Sequence, residues 1–359
     1  MEEKPNNSRV VFLDWLRIFA FISVFVGHKF TPFILGFTNN PNNHSTLRSI
    51  LSFLHPFIHG GGAGVVIFFL VSGYIITQVL EKEKTIEFIV KRFFRIYPLY
   101  IVAVAIEAIL NHQLNGIAVQ PIILIKQMSL MGDFFHTPHA LRGVEWTLRI
   151  EVLFYIAMAI IKHTGFLNGK LSFALPYVIM GTIISLYLMK PMPGSWSWSF
   201  AYINLYAPFL FLGVIYFLLE SGRVRTTTCL LATALVIFGY WILIPKWQPG
   251  WTNSHFAAYG LGLFIVFWLL RKKILLPAWA LLLSELTYSV YLFHNWMYDW
   301  LVSLYKFMNF NILFLHLLST ASLFMICWLF HLSIEKPAIR LGKVLVKSFL
   351  QQKISLKFK

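Results

Sequence analysis

The sequence predicts an all-α polytopic membrane protein of about ten transmembrane helices with both termini cytoplasmic, and three observations carry that prediction. Hydrophobic residues make up 58% of the 359 and charged residues only 12%, with a mean hydropathy of +0.70, which is far from a soluble globular balance. Apolar runs of membrane-spanning length recur along the chain, each about the 20 residues needed to cross the hydrocarbon as a helix. Finally, the basic residues segregate onto alternate connecting segments.

The runs place spans near residues 10–28, 57–80, 96–111, 145–161, 171–189, 200–219, 228–244, 256–270, 275–298 and 312–334. With the N-terminus inside, 21 of the 30 basic residues fall on inner segments and seven on outer ones, while Arg17 and Arg149 lie within spans. This threefold excess is the positive-inside pattern. The apolar segment 116–131 is brief, and an eleventh span there would break the alternation, so it reads as a re-entrant or interfacial piece. Residues 1–337 read as one transmembrane domain and 338–359 as a basic, amphipathic cytoplasmic tail suited to an anionic leaflet.

Several function classes drop out. The net charge of +16 is arranged by loop, which explains it without nucleic acid. Cys229 and Cys327 both lie in expected spans without metal-ligand spacing, so neither a disulfide framework nor a metal site is expected. The first apolar run carries Asp14 and Arg17 and exceeds an h-region in length, so it is expected to stay as the first helix rather than be cleaved as a signal.

Ionisable groups inside spans are costly and mark function by default. In LDWLRIFAFISVFVGHKF, residues 13–30, Arg17 and His28 are eleven residues apart, which is about three helical turns and roughly 16 Å of rise on one face. Snorkelling of the arginine and an interfacial histidine would explain them equally. HGGGAGVVIFFLVSGY, residues 59–74, lets backbones approach closely, and Ser72 reads as a packing hydroxyl because no GxSxG accompanies it. KRFFRIYP, residues 91–98, sets Arg92 and Arg95 on one helix face, which suits phosphates as well as ordinary positive-inside anchoring.

VEWTLRIEVLFY, residues 144–155, carries Glu145 and Trp146 at the outer interface and Arg149 and Glu151 into the span. Glu151 must pair with Arg149 or another cation, or take part in proton transfer. In SELTYSVYLFHNW, residues 284–296, Ser284, Tyr288, Tyr291 and Asn295 form a polar stripe with His294 adjacent, facing a cavity or another helix. Glu335, Lys336 and Pro337 read as the stop of the tenth span.

Taken in order, these motifs resemble the acyltransferase-3 family of integral membrane O-acyltransferases over nearly the whole chain. LDWLRIFAFISVFVGH is similar to the family's Arg-x10-His helix, GVVIFFLVSGYIIT to its Phe-Phe-x-x-Ser-Gly helix and RFFR to its Arg-x-x-Arg motif, while WTLRIEVLFY and TYSVYLFH match later signatures. The expectation is a single-domain member without the hydrolase-like extension of some relatives, with Trp15 standing where a small residue is common.

The resemblance implies that Arg17 and His28 are essential, that Arg92 and Arg95 hold the donor at the inner face, and that the donor is acetyl-CoA. His28 then acts as general base toward a hydroxyl of a cell-surface glycan or lipid-linked sugar, with Glu151 as its expected carboxylate partner and Asp14 the other candidate. Asp14, Ser72, Trp146, Tyr288, Tyr291 and His294 complete the candidate site. The expected partners are acyl-CoA, the sugar acceptor, membrane lipids and a second copy of the chain; the expected location is the bacterial inner membrane. A transporter of a lipid-linked sugar or small solute could use the same polar positions, although no internal repeat supports it.

Overall fold

The computed structural model describes residues 10–355. The basic residues Lys4, Arg9, Lys357 and Lys359 counted above lie outside the described residues. In chain order the α-helices are α1 (Val11–Lys29), α2 (Thr31–Asn39), α3 (Ser45–Ile58), α4 (Gly62–Lys82), α5 (Thr85–Asn115), α6 (Pro121–Met128), α7 (Glu145–His163) and α8 (Leu175–Leu188). They continue with α9 (Tyr202–Glu220), α10 (Thr226–Trp247), α11 (Phe256–Leu270), α12 (Ala278–Phe293), α13 (Trp296–Lys306), α14 (Ile312–Phe330) and α15 (Lys336–Ser355). No strand occurs among the described residues, so the protein is all-α.

Among the described residues six stretches are long and apolar enough to cross a membrane: α1, Ser45–Lys82, α5, α9, α10 and Ile312–Ser348. α8, α11 and α12 are apolar but shorter. α7 has 19 residues but carries Glu145, Arg149, Glu151 and Lys162. The segment 116–131 holds only the eight-residue α6, whose rise of about 12 Å is well short of a span.

The chain forms two compact units, one from the described part of Met1–Val71 with Asn253–Thr287, the other from Ser72–Thr252 with Tyr288–Lys359. In the first, α1 lies against the break between α3 and α4. Gly60 and Gly61 turn the chain there with φ of 56° and 70°, values that only glycine adopts without strain. A Cβ on Gly64 would overlap the carbonyl oxygen of Ala20. Ser23 stitches the junction, donating to Phe57 O at 2.7 Å and accepting from Gly64 N at 3.2 Å. The glycines of the HGGGAG stretch therefore serve close helix approach.

In the second unit, α9 is the most enclosed element, buried along nearly its whole length, with α8 and α10 on its flanks. A Cβ on Gly73 of α4 would overlap Leu210 O of α9, so that helix pair meets backbone to backbone. α5 packs against α7 and α15.

Two helix ends differ from the sequence expectation. The run 275–298 is interrupted at His294 and Asn295, where His294 Nδ1 lies 2.7 Å from Tyr291 O and Asn295 Nδ2 donates to Arg142 O at 3.2 Å. Polar side chains there satisfy carbonyls that an unbroken helix would not share with them. Pro337, read as a helix stop, instead follows a π-turn at His331–Glu335 that passes directly into α15. Proline clashes with the carbonyl four residues back, and the wider π-turn relieves that clash without ending the helix.

Candidate functional site

The site residues fall in both units. In the first, Arg17 and His28 both lie on the uninterrupted α1, so the shared face expected from their spacing is present. Arg17 Nη1 is 3.8 Å from Asp14 Oδ1, one turn before it, and the same oxygen of the buried Asp14 accepts from Ser284 Oγ at 2.6 Å. Asp14 therefore fixes Arg17 and ties α1 to α12. His28 sits exposed in the last turn of α1.

In the second unit, four of the sequence motifs converge. Ser72 of α4 and Tyr155 of α7 both donate to Oε1 of Glu151, each at 2.6 Å. Tyr155 is buried and, with Arg92 of α5, lines a cavity between α5 and α7. Glu151, 6% exposed, does not pair with Arg149: the two are separated by two positions and point to different sides of the helix.

Arg149 turns instead to the loop before α7. It forms a fully buried ion pair with Asp133 and donates from Nε to Leu130 O at 2.8 Å. Ser199 also donates to Asp133. This cluster is structural in form, since every strong donor and acceptor in it is matched.

Arg92 is only partly enclosed, but its Nε is buried and makes no hydrogen bond among the described residues. Its guanidinium stands 5.5 Å from the Phe88 ring. Beside it, between α5 and α7, is a cavity of about 410 Å³ lined by Arg92, Phe93, Tyr97, Val152, Tyr155 and Ile156 among others. A cation at the edge of an apolar hollow matches a ligand with both anionic and apolar parts.

The polar stripe of α12 disperses into specific contacts. Tyr288 donates to Ile96 O of α5 at 2.6 Å. Tyr291 bonds Val144 O and Thr147 of α7. His294 is buried at the α12 terminus. Trp146 packs between Tyr202 and Tyr206 of α9, with ring centroids at 4.5 and 5.0 Å.

Two residues of this region carried no functional reading in the sequence. Tyr155 was signalled by its position four residues after Glu151, on the same helix face. Glu335 is 2% exposed rather than at a surface, with Oε2 accepting from Ser289 Oγ and facing His331 Nδ1, both at 2.9 Å. Only the π-turn brings it there. Among the described residues no group of three or more His, Cys, Asp or Glu side chains could hold a metal.

The sequence pattern of a family described as an acyltransferase domain, of the acyltransferase-3 type, matches residues 10–332. The chain belongs to this acyltransferase family. The match includes the motifs from the first helix through residues 284–296, and Glu335 and Pro337 lie just beyond it. This acyltransferase is also 27% identical over 165 residues to nodulation protein 10 of Rhizobium leguminosarum bv. viciae, an alignment covering 40% of the chain and 42% of that protein. No solved structure matches the acyltransferase. With its long apolar helices, the family places it among multi-pass membrane proteins.

Proposed function

We propose that this acyltransferase is an acyl-CoA-dependent O-acetyltransferase of the bacterial inner membrane that modifies a hydroxyl of a cell-surface glycan or glycolipid precursor. Its N- and C-termini face the cytoplasm in this reading. The observation that carries it is the cavity between α5 and α7 that Arg92 and Tyr155 line together, with Arg95 one turn further along α5 and Tyr155 bonded to Glu151. A CoA donor has a phosphate-bearing head that stays in the cytosol and a thin pantetheine arm that can enter between helices. Two guanidiniums match the head, and the apolar hollow at Arg92 matches the arm.

His28 supplies the base. The acceptor hydroxyl loses its proton to the imidazole as its oxygen attacks the thioester carbonyl carbon; the C–S bond breaks, and the CoA thiolate leaves with the proton from His28. Transfer through an acyl-histidine would use the same residue twice, first as nucleophile. Arg17, held by Asp14, guides the donor, and Glu151, held by Ser72 and Tyr155, serves as the second catalytic residue beside the base His28.

The test is turnover of labelled acetyl-CoA in host membranes, read as O-acetyl signals on extracted surface glycans. His28→Ala should abolish those signals while the protein inserts and folds as wild type. Retained O-acetylation would reject the assignment, and lost solute flux with unchanged acetyl-CoA binding would favour a transporter.

A further inference from the structure

The end of α5 remote from Arg92 and Arg95 carries a pocket that the acyl-transfer chemistry above does not use. We propose that this pocket, with Trp198 at its flank, binds the sugar rings of a neutral glycan, the acceptor in the acyl-transfer reading on which this inference rests.

The pocket has a volume of about 340 Å³ and lies between the last turns of α5, residues 117–120, α6 and Pro138–His139. That is near the lower end of small-molecule sites, which run to about 300–1,000 Å³, and suits a sugar ring rather than a whole chain. Its polar lining is Glu107, Asn111, Gln120, Gln127 and His139. Sugar hydroxyls donate and accept at once, and amide side chains answer both needs. The lining holds a carboxylate and no lysine or arginine, which favours a neutral sugar over an acidic one.

The walls are fixed before any ligand arrives. Gln127 Nε2 donates to Pro138 O at 3.0 Å, and Tyr100 donates to Gln127 O at 2.7 Å. Glu107 accepts from the Leu141 amide. This secures a turn in which Leu141, Arg142 and Gly143 have φ of 52°, 49° and 82°, a left-handed conformation that strains the two non-glycine residues.

A tryptophan stands against the His139 wall of the pocket. Trp198, 40% exposed, has its ring 5.4 Å from that of His139. Flat, rigid, half-exposed indoles are platforms for the C–H face of a pyranose. Asn111 is sixteen residues beyond Arg95 on one helix, about 24 Å along its axis. That approaches the roughly 30 Å of a hydrocarbon core, so donor phosphates and acceptor sugar occupy opposite ends of α5.

The experiment measures binding of the full-length protein in lipid nanodiscs to a printed array of neutral and acidic oligosaccharides, with thermal unfolding as the fold control and acetyl-CoA binding read separately. Wild type should bind neutral oligosaccharides, and Asn111→Ala with Gln120→Ala should weaken the best of them by about tenfold or more. Trp198→Ala should weaken it as well, whereas Trp198→Phe should retain most of it; a tryptophan that only anchors the membrane interface would leave binding unchanged in both. Absence of any binding, preference for acidic sugars, or unaltered binding by the folded pocket variants would overturn the proposal. If the sugar binds as expected but acetyl-CoA does not, the acyl-transfer reading fails and the pocket assignment stands.

Discussion

Ser72 on α4 donates a 2.6 Å hydrogen bond to the Glu151 oxygen that also accepts from Tyr155 on α7. The serine of the second motif is one of two hydroxyls holding a buried carboxyl. Removing a partner from a buried acceptor costs about 1–3 kcal/mol. Ser72→Ala and Tyr155→Phe should each lower the thermal midpoint and reduce transfer several-fold. Since both act on one oxygen, the double variant should depart from additivity, which a double-mutant cycle on unfolding and turnover would read.

The Asp133–Arg149 pair predicts a different pattern. Both side chains are at most 3% exposed, and breaking such a pair from one side costs about 3–5 kcal/mol. Arg149→Met should destabilise severely, and pairing it with Asp133→Leu should recover part of the loss by removing the orphaned carboxylate. Detergent-solubilised thermal melts of the single and double variants provide the check.

Helix approach gives a third. Gly73→Ala would drive a Cβ into Leu210 O, and Gly64→Ala would drive one into Ala20 O; neither backbone can yield without moving a helix. Both should lose folded protein in expression measurements. Gly181→Ala is the contrast, because nothing lies within 4 Å of its Cβ position and a helix interior gains about 1 kcal/mol on that exchange.

How much of this was legible in the sequence depended on sequence distance. Helical class and membrane character followed from apolar periodicity and length, and Asp14–Arg17 and Tyr155–Glu151 follow from spacings of three and four. Ser72 and Glu151 are 79 residues apart, and nothing local links them. Asp133 escaped notice because its partner Arg149 belongs to a helix and Asp133 to a loop whose path no periodicity reveals. The interruption at His294 and the π-turn before Pro337 escaped for another reason: each is a backbone adjustment to side-chain hydrogen bonding or ring sterics that leaves the hydrophobic pattern intact. The ten apolar runs likewise read more uniformly than the helices they form, since α8, α11 and α12 are shorter than their neighbours.

The stripe on α12 shows the same limit. Its 4, 3, 4 spacing placed Ser284, Tyr288 and Tyr291 on one face, but the contacts go to Asp14, Ile96 and Val144 respectively. A fourth prediction follows: Tyr288→Phe frees one carbonyl of α5 near Arg95 and should cost about 0.5–1.5 kcal/mol in stability, measurable as a lower unfolding midpoint.

Direct binding of radiolabelled acetyl-CoA to the purified protein in nanodiscs tests the proposed donor site at Arg92 and Arg95. Arg92→Ala and Arg95→Ala should each weaken binding by about tenfold, equivalent to about 1.4 kcal/mol, and the wild-type affinity should fall as salt rises. Wild-type affinity retained in both folded variants would contradict the account.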